Sequence, residues 1–300
     1  MSFHLIYKYE SLFKVLSKFF SSKEITAQSI LPFPTEHNTL LWKISGNGIT
    51  KDCYVFGTMH LIEKQYFVFP KSLQNKIKNC DRLIMEIADV NQADALQYVM
   101  LESGSITDFF TRKQLDTLYN WSATTIGMDS TMLLKSFGKM KPFILTQLTT
   151  QLSFSGETES YEKSIQTITD GKNIPNFGLE TIKEQLSFFD KLTNQEQAEM
   201  VMAATRDKDN GKAKMKEIME LYQKQNVDIL YNAVHNETGA ISDNEALFLS
   251  NRNKNWVPQL KNHFTSGKCF VAVGAAHLGG PEGVLRLLQK EGFTITPIKL

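Results

Sequence analysis

Two stretches, Cys53-Tyr-Val-Phe-Gly57-Thr-Met-His60-Leu61 and Cys269-Phe-Val-Ala-Val-Gly274-Ala-Ala-His277-Leu278, repeat one pattern near opposite ends of the chain. With a one-residue gap, Cys, an aromatic, Val, Gly, His and Leu all align. Each apolar run reads as a buried strand, and the glycine lets the backbone turn as it leaves the sheet. Both histidines then fall beyond the carboxyl end of a strand, where α/β proteins place ligands. Two such histidines from remote sequence point to one shared site.

The surroundings of each copy are also alike. After Tyr54–Phe56 comes a helical pattern from about Pro70 to Asn79, with Pro70 suited to a first helical position, and then the apolar run Arg82-Leu-Ile-Met-Glu86-Ile-Ala88. Strand, helix, strand of this length is a βαβ unit and implies a parallel pair. At the other end, strand Phe270–Val273 is followed by a helix read from Pro281 to Lys290, stopped by Gly292, and by the strand Phe293–Ile298. The expected fold class is α/β, a mainly parallel sheet with pseudo-two-fold N- and C-terminal βαβ modules. Helical sequence fills roughly 92–171 and 184–264 as a covering layer or insertion. One strand interrupts it, Ile174-Pro-Asn-Phe-Gly178-Leu179-Glu180, with a helix opening at Thr181.

The 300 residues suffice for a substantial core, and 42% apolar with 22% charged residues is ordinary for a globular protein. A net charge of +1 gives no reason to expect nucleic acid as a partner. No apolar stretch approaches the roughly 20 residues of a transmembrane helix. Cys53, Cys80 and Cys269 form no CxxC pair and read as small buried hydrophobes. Residues 1–38 read as a separate N-terminal segment and 39–300 as a single domain, with the boundary in the turn-rich Pro32-Phe-Pro34-Thr-Glu-His-Asn38. Lys14 and Lys18 interrupt the apolar run that a secretory signal requires. Residues 5–20 therefore suit a basic amphipathic helix in peripheral contact with a membrane, or a degenerate signal ending near Ala27-Gln28, and the compartment stays open.

Four expected strands deliver titratable groups at or near their carboxyl ends: His60, Glu86, Glu180 and His277. Imidazole with carboxylate suits zinc, manganese, cobalt or iron, and a metal so held activates water. The same four groups could equally do acid–base work without a metal. Glu86 needs a partner, because an unpaired charge inside an apolar strand is costly. Glu180 has a second reading as a cap of the helix beside it. Arg252, in Asn251-Arg252-Asn253-Lys254, could pair with Glu86, clamp a carboxylate or oxyanion, or lie on a solvated helix face. No GxGxxG, GxxxxGK[ST], GxSxG or HExxH pattern is present.

The ordered set Leu40-Leu41-Trp42-Lys43-Ile44, Phe56-Gly57-Thr58-Met59-His60, Met85-Glu86-Ile87, Lys141-Pro142-Phe143, Gly178-Leu179-Glu180-Thr181 with Gln185, Arg252-Asn253 and Val273-Gly274-Ala275-Ala276-His277-Leu278-Gly279-Gly280 resembles the TraB/GumN family, which includes the Tiki-type metalloproteases. The resemblance runs from about residue 39 to the C-terminus. It implies a fold similar to erythromycin-esterase-like and ChaN-like proteins, and a metal-dependent hydrolase acting on a peptide or protein. His60, His277 and Glu86 would hold one divalent ion (manganese, cobalt or zinc). Glu180 or Glu86 would move protons, Arg252 would stabilise the oxyanion, and Gly57, Gly274 and Asn253 would meet substrate. The segment Thr158–Asp170 would line the cleft. The alternative that it implies is a haem- or peptide-sequestering protein without turnover.

Overall fold

The computed structural model describes residues 37–88, 92–206, 208–235 and 240–300. The expected amphipathic or signal-like stretch, 5–20, lies outside the described residues. Six strands form the central sheet: β1 (Leu41–Gly46), β2 (Cys53–Thr58), β4 (Arg82–Ile87), β6 (Asn176–Glu180), β7 (Cys269–Gly274) and β8 (Phe293–Ile298). Two further short strands, β3 (Ile62–Glu63) and β5 (Thr158–Glu159), make a separate antiparallel ladder.

The sheet order is β6-β4-β7-β2-β1-β8. Strands β2 and β7, which carry the two repeated motifs, are direct parallel neighbours at its centre, with Gly57 opposite Val273 and Thr58 opposite Gly274. Every residue of both is buried, as expected of strands covered on both faces. β1 runs antiparallel to both of its neighbours, and the other five strands all point the same way. The edges are less buried. One of them, β8, carries Pro297, whose missing N–H an edge strand tolerates.

Contrary to the parallel pair expected of a βαβ unit, the strands of each unit are not paired with each other. Instead β7 is inserted between β2 and β4, and β2 with β1 separates β7 from β8. The two modules interleave, and their crossovers run in opposite directions along the sheet. Right-handed crossovers of opposite direction put their helices on opposite faces, which covers the central strands from both sides. The C-terminal helix also begins later than its sequence suggests, at Val284, because 281–283 form a turn after Gly280, whose φ is +78°.

The helical sequence divides between two apolar clusters. Lys71–Lys78 and Tyr161–Asp170 contribute Leu73, Ile77, Tyr161 and Ile165 to the core that contains the sheet. Lys208–Gln223 and Asn251–Thr265 add Met215, Met219, Tyr222, Trp256 and Leu260 to the same core. A second cluster contains no strand residue and is built from Trp121, Phe137, Phe143, Phe189, Val201, Met202 and Phe248, with Phe143 and Phe189 stacked 4.6 Å apart. The helical layer therefore has a core of its own. All three cysteines are buried and reduced, and burial pushes the Cys80 thiol up to about 11.

Candidate functional site

The two Gly-x-x-His turns pack on one another. A Cβ on Gly57 would lie 3.0 Å from both the Ala275 Cα and the Leu278 Cδ1, atoms of the second motif. Gly57 lies within β2, and Gly274 has φ −63° and ψ 143°, so neither glycine supplies an unusual backbone angle. The first glycine is required by close approach, not by a sharp turn. Gly57→Ala is expected to cost about 1–3 kcal/mol through overpacking, read as a lowered urea midpoint at unchanged slope. An unaltered midpoint would refute the close-approach explanation.

Five of the sequence-selected residues meet in one buried network centred on Arg252, which is 1% exposed. Its Nε donates to Glu180 Oε1 and Oε2 at 3.0 and 3.1 Å. Nη2 donates to Glu86 Oε2 at 2.8 Å and to Glu180 Oε2 at 2.7 Å. Nη1 donates to the Phe248 carbonyl and lies 3.1 Å from His277 Nε2. A guanidinium has five N–H donors, so each one has an acceptor within the network. Burial opposes the charge, but Glu86 and Glu180 outweigh it and hold Arg252 above its ordinary value.

Local sequence explains how these groups converge. Glu180 ends β6 and Glu86 lies near the end of β4, and the two strands are parallel neighbours with Ile87 opposite Glu180. Thr181 caps the next helix through a capping box with Glu184, which leaves Glu180 to face Arg252 instead of the helix terminus. Gln185, one turn into that helix, donates to Glu180 Oε2 at 3.1 Å and to Glu86 Oε2 at 3.3 Å. Gly274 N–H donates to Glu86 Oε1 at 2.9 Å, so the second motif holds the strand glutamate through its backbone. Asn253 follows Arg252 and places Oδ1 2.6 Å from His277 Nδ1, while its Nδ2 donates to the Glu282 carbonyl.

His60 sits apart from this network. Its Nδ1 is 2.6 Å from Glu162 Oε1, a contact lying off the ideal hydrogen-bond line, and its Nε2 is buried without a partner among the described residues. Thr58 Oγ1 donates to the same Glu162 oxygen at 2.6 Å, and Ser160 Oγ reaches Oε2 at 3.3 Å. The β3–β5 ladder makes this possible. By pairing Ile62 with Glu159 it brings the start of helix Tyr161–Asp170 against the loop carrying His60. Tyr222, in the Lys208–Gln223 helix, donates its hydroxyl to the Gly57 carbonyl at 2.8 Å and so braces the end of β2 that leads into that loop.

A small pocket, with room for about one water molecule, is walled by His60, Met85, Glu86, Ile87, Glu162, Gln185 and Ala272. His60 and Glu86 thus share a wall, whereas His277, Arg252 and Glu180 stand behind Glu86. Glu162 was not singled out from the sequence, although the segment expected to line the cleft contains it. A lone carboxylate in the first turn of a helix has an ordinary reading as a favourable terminal charge. Only the paired short strands, too brief to stand out in a sequence, bring it to His60. Thr58, inside the motif itself, also escaped notice.

The divalent ion implied by His60, His277 and Glu86 does not fit these residues as arranged. Both ring nitrogens of His277 have partners, and Glu86 accepts from Arg252, Gln185 and Gly274. Among the described residues, no three His, Cys, Asp or Glu side chains are grouped to hold an ion. No described helix is long and apolar enough to cross a membrane.

No curated protein and no solved structure matches the chain. The sequence profile of the TraB/PrgY/gumN family matches residues 40–297, a span that covers the sheet, both Gly-x-x-His motifs and the Arg252 network, and the chain belongs to that family.

Proposed function

We propose that the protein is a hydrolase, with a peptide as substrate, in which His60 activates the attacking water. One observation carries the reading: a buried imidazole with a carboxylate against Nδ1 and an unpartnered Nε2 on a pocket wall. A buried polar atom without a partner is rare and asks for an explanation. A water, or the substrate itself, would satisfy Nε2. His60 would take the water's proton as the oxygen attacks the scissile carbonyl, and Glu162 would stabilise the imidazolium formed. The same proton would pass to the leaving amine. Glu86 and Gln185, on the same pocket, would orient the bound amide. The peptide substrate rests on the resemblance to Tiki-type members.

The same contact supports a second reading. A carboxylate behind Nδ1 is also how proteins orient a histidine that ligates metal through Nε2. Cleavage of a mixed peptide library with and without chelator, followed by mass spectrometry, separates the two. Cleavage that persists in chelator is expected for the His60 base. Cleavage abolished by chelator and restored by manganese, cobalt or zinc would transfer the role to an ion. No cleavage, with a Soret band on adding haem, would favour sequestration. Glu162→Gln keeps an acceptor for Thr58 but removes the charge. It is expected to lower kcat about 10²–10⁴-fold, the upper end being the loss when the carboxylate behind a triad histidine becomes an amide, with KM little changed. Undiminished kcat would remove Glu162 from the scheme.

A further inference from the structure

We infer that the two Gly-x-x-His histidines divide the work: His60 meets the reactants, and His277 is a positioning residue that sets Arg252 behind Glu86. This rests on the reading of the pocket as the reaction site. A guanidinium has donors and no acceptor, so His277 Nε2, 3.1 Å from Arg252 Nη1, has to accept. The imidazole proton is then on Nδ1, which faces Asn253 Oδ1 at 2.6 Å. The orientation of that amide is independently fixed, because its Nδ2 donates to the Glu282 carbonyl at 2.9 Å. Every link agrees on one neutral tautomer with its lone pair spent on Arg252.

Packing holds this ring in place. His277 is 1% exposed and its ring lies 4.4 Å from that of Trp256, whose face also carries the Arg252 guanidinium at 4.9 Å. His60 differs at each point. Its Nδ1 faces a carboxylate, its Nε2 has no described partner, and it walls the pocket, which His277 does not. The chain from His277 runs through Arg252 Nη1 to Nη2, then to Glu86, and only Glu86 reaches the pocket. The sequence repeat thus sets each imidazole just past a strand, while Nε2 of His277 is given to Arg252 and Nε2 of His60 is left to the pocket.

Long-range ¹H–¹⁵N correlation of histidine-labelled full-length protein at neutral pH tests the assignment directly. The expected result is a neutral His277 in the Nδ1–H form. A protonated ring or the Nε2–H form would overturn the inference. Kinetics supply a second test. His277→Gln retains an amide oxygen able to accept from Arg252 and is expected to keep kcat/KM within about fivefold, whereas His60→Gln loses about a hundredfold or more. Equal losses in the two variants would also overturn it. If the wild-type protein cleaves no peptide at all, the hydrolase reading fails, and the tautomer still decides the role of His277.

Discussion

His60→Gln is expected to lower kcat/KM on a cleaved peptide by about 10²–10⁴-fold, the contribution of a positioned general base. Glutamine approaches the size of imidazole but cannot carry a proton from water to a leaving amine. The loss should fall mainly on kcat, because the other pocket walls, Glu86, Gln185, Met85 and Ile87, remain to bind substrate. Stability should change little, within about 1 kcal/mol, because Nε2 has no described partner to lose and the glutamine amide can still donate to Glu162 in place of Nδ1. The near-ultraviolet dichroism and urea midpoint check that half of the prediction. Retention of wild-type kcat by a folded His60→Gln protein would sink the proposed chemistry.

Arg252→Met is expected to have the largest effect on stability. It removes the positive partner from two buried carboxylates, Glu86 and Glu180, and leaves His277 Nε2 and the Phe248 carbonyl without their donor. Breaking a buried charge pair from one side costs about 3–5 kcal/mol. Urea unfolding measures the loss. Adding Glu86→Gln and Glu180→Gln to Arg252→Met should recover part of it, since the stranded charges are then gone. A loss below about 1 kcal/mol, or no recovery in the triple variant, would show that the network is not coupled in this way. The sign of the pH dependence follows from the raised value of Arg252. Its stabilisation is fully present below the ordinary guanidinium value and is lost only above it, so this group adds no pH dependence near neutrality.

Much of this arrangement could be read from the residues in order. The two apolar runs ending in Gly-x-x-His are strands, the covering layer is helical, and Glu86, Glu180, Arg252, Asn253 and His277 do meet. Strand pairing could not be read, because periodicity marks a strand without naming its neighbour. The interleaving that sets β7 between β2 and β4 depends on contacts more than 180 residues apart in sequence. Glu162 escaped for a related reason. Its position beside His60 depends on a two-residue ladder, β3 with β5, that carries no sequence period of its own.

What the sequence determined by itself was the repeat, the α/β class and the inventory of titratable groups, since these follow from local pattern and from the cost of burying an isolated charge. What only the tertiary structure decided was which lone pairs those groups spend on each other. Arg252 sits between Glu86, Glu180 and His277, so the second histidine is occupied, while the first keeps Nε2 toward the pocket. Hydrogen-bond roles are set by atoms a few ångströms apart in space, and matching motifs fix the backbone without fixing those partners.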